Sequence, residues 1–311
     1  MHFTVIVVVA IAVASRANAF VIRSVRLPVN ARRVAGCSYE YDATARIACL
    51  ARRQRSRRSG LTQLECLTKI PSGSDPYVTL RKQTAEATQN AVDAGINLIE
   101  LEFPPVRGKL DISLGETLDA NRAFARELSR NFSARMGKAL WLVFPDDGEA
   151  ELARKTYGST TYRVVSIQSA IRDLKEEECQ MMIVVNPGFN VEEWIVLDTL
   201  VRPDVPMVML NGGLDKLRGG YYPRIFYPGL YNAKERFLKK FETIYYLKAL
   251  PGGWIFRKAP EDWQIVSIGQ KGSGGRAAVE SRVLESSPDR PEYNRALKIV
   301  QAAAQQAQQK D

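Results

Sequence analysis

Residues 181–190 read Met-Met-Ile-Val-Val-Asn-Pro-Gly-Phe-Asn, and residues 206–213 read Pro-Met-Val-Met-Leu-Asn-Gly-Gly. Both are short apolar runs shut by an asparagine and a turn. A strand wetted on one face alternates apolar and polar side chains. An unbroken run belongs to a strand covered on both faces, as in a parallel sheet between helices. The residues just after 181–185 support this, because Asn190 and Glu193 have the spacing that caps a helix, here to about Leu200. Working outward, the same unit recurs. Ala139–Phe144 is a strand ended by Pro145, and Asp146 with Glu149 caps a helix through Tyr157. Tyr162–Ile167 is a strand before a helix over 169–178. Upstream, Asp75 and Pro76 start a helix that stops at Gly95. Ile96–Phe103 is then a strand, and Ser113 with Glu116 opens a helix to about Phe132.

The alternation predicts an α/β fold, a mostly parallel Rossmann-like sheet with helices on both faces. The rhythm changes after residue 226. An amphipathic helix near 231–241 leads into Ile244–Leu250, Trp254–Lys258 and Gln264–Ile268, separated by turn residues. These predict a C-terminal antiparallel meander at one edge of the sheet, with Trp254 and Trp263 packing across it. Residues 269–290, rich in Gly, Ser and charge, are expected to be mobile, and the last twenty to form a polar helix with little to bury. The expected organisation is a signal peptide over 1–19, a transit peptide and linker over 20–74, an α/β domain over 75–268 and a mobile linker with a helical tail over 269–311.

The N-terminal expectation rests on composition. Residues 3–13 are almost wholly apolar and Ala17-Asn18-Ala19 follows, the pattern of a secretory signal and too short for a membrane span. From Phe20 to Gly60 there are ten Arg, no Lys and only Glu40 and Asp42 as acids. A signal joined to an Arg-rich transit segment resembles the leader of proteins sent to complex plastids of red-algal origin, which implies the stroma or the thylakoid surface as the workplace. The formal charge of +10 therefore belongs to the leader. The nearly neutral remainder carries no electrostatic footprint for nucleic acid. His2 is the single histidine, so His-based triads and His-ligated metals are excluded from the body, and the four cysteines form no Cys-x-x-Cys, so neither a disulfide framework nor a zinc site is expected. No metal site and no cofactor is expected, since no Gly-rich nucleotide fingerprint occurs.

An open parallel sheet binds ligands beyond the carboxyl ends of its strands. There the chain places Glu100, Glu102, Asp146, Asp147, Glu149, Asn186 and Asn211, the candidate crevice. Glu100 and Glu102 share a strand face. They are either a ligand-gripping acid pair or, preferably, carboxylates ion-paired to a helix cation such as Arg122. Asp146, Asp147 and Glu149 have the oxygens for Mg²⁺, but helix capping accounts for Asp146 and Glu149 without a ligand. The turns at 186–190, 211–213 and 218–220 have backbone suited to an anion, although glycine turns are mostly only turns. Tyr221, Tyr222, Phe226, Tyr227 and Tyr231 are the candidate partner surface, with core packing as the alternative for any of them.

Read in order, Tyr77, Gly95, Glu-Leu-Glu-Phe-Pro at 100–104, Val-Phe-Pro-Asp with Gly-Glu at 143–149, Val-Val-Asn-Pro at 184–187, Met-Leu-Asn at 209–211 and Trp263 resemble a plastid and cyanobacterial domain of unknown function, number nineteen ninety-five. The resemblance covers about 75–268. Such domains occur in a chloroplast protein of low photosystem II accumulation and as an extension of some plastid adenylate kinases. It implies a non-enzymatic accessory factor whose partners are photosystem II subunits or their assembly machinery. Two alternatives stay open: a nucleotide- or phosphometabolite-sensing domain, and a carboxylate- or Mg-dependent enzyme. The resemblance assigns no catalytic residue, and no membrane span is expected, only peripheral contact.

Overall fold

The computed structural model describes residues 69–71, 75–105, 113–188, 190–271 and 278–308. The expected signal at 1–19, and all of the expected transit segment and linker except 69–71, lie outside the described residues. Asp75 caps the first helix, α1 (Pro76–Asp93), by accepting from the Tyr77 N–H at 3.0 Å, with Pro76 in the first turn. After β1 (Leu98–Glu102) the chain crosses through α2 (Leu114–Met136), opened by the reciprocal capping box of Ser113 and Glu116, to β2 (Leu140–Phe144). Then come α3 (Asp147–Tyr157), β3 (Arg163–Ser166), α4 (Ile167–Asp173), β4 (Met181–Val185), α5 (Val191–Val196) and β5 (Met207–Leu210). Two short helices, α6 (Leu214–Arg218) and α7 (Pro228–Arg236), precede β6 (Glu242–Leu250). The chain finishes with β7 (Gly253–Lys258), β8 (Trp263–Lys271), β9 (Ala278–Ser287) and α8 (Tyr293–Gln308).

The nine strands form one sheet in the order β3-β2-β4-β5-β1-β6-β7-β8-β9. It is parallel from β3 to β6 and antiparallel from β6 to β9, as the sequence predicts. Met182, Ile183 and Val184 are fully buried because helices cover both sides of them. On one face Leu101, Leu142, Ile183 and Leu210 join Leu80 of α1, Leu128 and Phe132 of α2 and Tyr157 of α3. On the other, Trp141, Val184 and Met209 join Ala170 of α4, Trp194 of α5, Leu217 of α6 and Leu230 of α7. Burying each large apolar side chain contributes about 1.5–3 kcal/mol.

Four local expectations are corrected. The helix expected over 169–178 starts at Ile167 and ends at Asp173, because Ser166, the last residue of β3, is itself the cap: its hydroxyl accepts from the Ser169 N–H at 3.1 Å. The helix expected over 231–241 is α7, set by Pro228 in its first turn and finished by Arg236. The segment 269–290, expected to be mobile, contributes β9, which pairs with β8 from Trp263↔Ser287 to Lys271↔Ala278. An edge strand gains its backbone bonds from its neighbour, so a polar sequence does not prevent it from forming. The tail expected to bury little packs Ala296 and Val300 of α8 on Tyr246, Leu250, Ile255, Trp263 and Ile265. Two small contact residues are a faint signal in a Gln- and Ala-rich helix.

Candidate functional site

Strands β2, β4, β5 and β1 are consecutive in the sheet, so the turns that close them lie side by side. The chain leaves β1 and β2 towards the face covered by α2 and α3, and leaves β4 and β5 towards the opposite face. The connections therefore diverge between β2 and β4 and between β5 and β1, the kind of switch point at which open sheets take ligands. The structure thus aligns along one sheet edge the strand ends that the sequence singles out.

Two asparagines define this edge. Asn186 (φ 48°) and Asn211 (φ 50°) end neighbouring strands in the left-handed conformation, which asparagine tolerates better than most side chains. Asn211 Oδ1 accepts from the Phe103 N–H at 2.9 Å, which fixes the amide's orientation, and its Nδ2 donates to Asn121 Oδ1 at 2.6 Å. Asn121 of α2 is thereby oriented in turn. Asn121 is 1% exposed and Asn186 8%, yet Nδ2 of each meets no acceptor. A buried unpaired donor costs about 1–3 kcal/mol, so this edge holds two buried amide groups whose hydrogen-bonding capacity the fold leaves unused.

The carboxylates are largely committed within the fold. Glu100 is fully buried and gripped by both guanidinium nitrogens of Arg218, each at 2.7 Å, with Thr243 Oγ1 also donating to it. The expected ion pair exists, but with Arg218 and not Arg122. Arg122 instead binds Asp119 and, at 2.7 Å, Glu149. It projects to the α3 side, whereas Glu100 lies on the opposite face beside α6. Glu102 accepts from the Gly213 N–H at 3.1 Å. Burial, reinforced by the charge of Glu100, raises the Glu102 carboxyl to about 8, so near neutrality it is mostly protonated and able to give up a proton. Asp146 caps α3 by accepting from the Glu149 N–H at 2.8 Å, and Asp147 accepts from Ser166 Oγ at 2.5 Å. Among the described residues no three His, Cys, Asp or Glu side chains are grouped to hold a metal ion. The Cys179 thiol is pushed up to about 12 by burial and stays protonated.

The glycine turns are also used internally. At Gly188 (φ 105°) an added Cβ would stand 2.2 Å from the Trp194 indole, so the turn closes over that ring only as glycine. Its N–H donates to Glu193 at 2.7 Å, so Glu193 serves this turn, while Asn190 caps α5 alone by accepting from the Glu192 N–H. Gly212 O accepts from Trp194 Nε1 at 3.0 Å. Trp194, which sequence reasoning passed over, thus ties both asparagine turns to the loop after α6. Tyr222 meets it edge-on at 5.7 Å, and Tyr221 and Tyr227 each meet Tyr222 at 5.0 Å. Beyond this stack the loop stands open: Tyr221 is 72% exposed, Ile225 82% and Phe226 74%. Tyr231 is separate, half-buried on α7, with Arg224 and Lys234 over its ring at 5.6 and 5.2 Å. Ile225 was not foreseen. Its signal was the bracketing by Pro223 and Pro228, which keeps the run 224–227 out of both helices.

Arg218, Asn121 and Trp194 are the site residues that sequence reasoning missed. Each acts across more than fifteen residues of chain, to Glu100, Asn211 and Gly212 respectively. A groove of about 590 Å³ lies elsewhere, between α1 and α2, bordered by Arg81, Lys82, Glu86, Gln89, Glu127 and Arg130. Those long, solvated side chains offer no convergent buried group. Among the described residues no helix is long and apolar enough to cross a membrane.

Neither a curated protein nor a solved structure matches the chain. A family model does match, over residues 76–297, which spans the sheet from α1 into α8 and includes every strand end described above. The chain belongs to the family described as Domain of unknown function (DUF1995).

Proposed function

We propose that this chain is a non-enzymatic accessory factor of the plastid, acting in assembly or maintenance of photosystem II. It works by contact at the photosynthetic membrane and not by turnover. The observation that carries the contact reading is the loop 221–227. It exposes Tyr221, Ile225 and Phe226 while its base is locked by Tyr222 on Trp194. Exposed apolar groups of this kind, on a rigid support, mark interaction surfaces. The bipartite N-terminal pattern supports the plastid, and the family resemblance supports the photosystem. The strand-end acids support a role without turnover, since Glu100, Glu149 and Asp147 are consumed by Arg218, Arg122 and Ser166.

The test is a strain lacking the protein together with a tagged copy recovered from gently solubilised plastid membranes. The expected outcome is a fall in photosystem II content and co-purification of its core subunits or assembly proteins. Normal photosystem II content in the null strain would overturn the reading. A second reading, a ligand-sensing domain, is favoured by the unpaired amides of Asn121 and Asn186. Thermal shift with adenine nucleotides, sugar phosphates and Mg²⁺ tests it, and a lack of stabilisation at saturating ligand counts against it.

A further inference from the structure

The exposed loop has a second property, its charge. From Lys216 to Lys234 the chain carries four cations, Lys216, Arg218, Arg224 and Lys234, and no acid. Arg218 is turned inward to Glu100, which leaves Lys216 and Arg224 exposed, while Lys234 is half-buried, donating to the Leu217 carbonyl at 2.9 Å beside the Tyr231 ring. The nearest acids in sequence, Asp215 and Glu235, are bound by Arg290 and Lys248 and by Lys239. The tip is a tight turn in which the Phe226 and Tyr227 N–H groups both donate to the Pro223 carbonyl, at 3.1 and 3.2 Å. Its backbone is therefore partly satisfied from within, as a segment entering an apolar medium requires. Tyr222 is held between Trp194 and the two flanking tyrosines, so the tip does not need to order itself on contact.

We infer that loop 221–227 is a membrane wedge. Ile225 and Phe226 insert among the acyl chains of a lipid surface, Tyr221 and Tyr227 sit at the headgroup level, and the exposed Lys216 and Arg224 select anionic lipid. An aliphatic–aromatic tip, tyrosines at its shoulders and a flanking stretch of chain with cations and no acid are the composition that interfacial anchors use. A purely apolar protein groove would accept Ile225 and Phe226 but offer nothing to the cations, whereas an anionic lipid surface meets both. The inference rests on the contact reading above and names what the loop itself touches; photosystem II subunits would then be met by other surfaces.

The experiment is hydrogen exchange by mass spectrometry on the full chain, alone and with protein-free vesicles. The vesicles are phosphatidylcholine alone, or phosphatidylcholine mixed with phosphatidylglycerol. A local readout is needed because the Arg-rich N-terminal segment can itself hold anionic vesicles. Phosphatidylglycerol vesicles are expected to slow exchange across 219–230, and phosphatidylcholine alone to do so much less. Replacing Ile225→Glu and Phe226→Glu together should weaken the protection by about a hundredfold in lipid concentration. Thermal unfolding should not change, since both side chains already face solvent. Three outcomes overturn the wedge. Vesicles that bind the chain without protecting 219–230 assign the binding to the N-terminal segment. Protection that grows with protein concentration alone assigns the loop to a second copy. Protection given only by membranes containing photosystem II assigns it to a protein partner and leaves the function proposal standing. Vesicle protection together with a null strain of normal photosystem II content would sink that proposal and keep the wedge.

Discussion

The two halves of the sheet are built on different terms. In the parallel half, β1 to β5 are four or five residues long and their helices cover both faces. Burial fixes them, and the polar groups at their ends must find partners within the fold. Hence Arg218 grips Glu100, Asn211 holds the Phe103 N–H, and Trp194 supports Gly212. In the antiparallel half, β6, β8 and β9 are nine or ten residues long, and on one face α8 is their cover. On the other face Tyr245, Leu247, Phe256 and Val266 of β6 to β8 extend the core that lies under α1, while β9 at the edge is held mainly by backbone pairing with β8. The comparison teaches where sensitivity lies: in the first half a polar side chain can be as critical as an apolar one, while in the second the buried apolar and aromatic side chains of β6 to β8 matter most.

The largest effect expected to sharpen this contrast is at Arg218. Arg218→Ala leaves the buried Glu100 carboxyl with only Thr243 as a side-chain partner, and should destabilise the fold by about 3–5 kcal/mol. Adding Glu100→Gln should recover much of that loss in a denaturant titration. If the single substitution costs under about 1 kcal/mol, the buried pair does not carry the parallel half. In the other half, Val300→Ala should cost about 1–2 kcal/mol, and hydrogen exchange should quicken in β8, β9 and α8 with β2 and β4 unchanged. Quickening throughout the sheet would mean that the two halves unfold as one.

Glu102 gives a pH-dependent probe. Its carboxyl is raised in the folded state to about 8, so between its unfolded value and that point the native chain holds a proton that the unfolded chain has released. Stability should therefore fall as pH rises through that window, with a slope of at most about 1.4 kcal/mol per pH unit. Glu102→Gln should flatten the slope, leaving the stability lost at alkaline pH in place. A wild-type slope equal to the variant's would place the proton elsewhere. The smallest effect expected is Asp146→Ala, which removes the α3 cap and should cost about 1 kcal/mol. A much larger loss would mean that this carboxylate does more than cap.

Much of the parallel half was legible because its signals are local. Asp75, Ser113 and Asp146 announce helix starts within four residues of the N–H groups they bind, and 181–185 and 207–210 show two-sided burial in their composition. The edge of the meander was not legible: β9 exists because β8 offers backbone partners, and α8 packs through Ala296 and Val300. At the site, the sequence correctly set Glu100 and Glu102 on one face and placed Asn186 and Asn211 at strand ends. It named Arg122 as the counter-ion, where the chain uses Arg218 from the helix that β5 delivers to that face.

By itself, then, the sequence determined the alternation of covered strands and capped helices, the change to a meander after residue 226, and the acid-free basic stretch between Lys216 and Lys234. These are written in neighbouring residues, through periodicity, capping and charge. Only the tertiary structure decided that four strand ends adjoin, that Asn121 and Asn186 keep unpaired amides there, and that Trp194 joins this edge to a loop exposing Ile225 and Phe226. Strand order and crossing direction bring together residues remote in the chain, and no local preference encodes them.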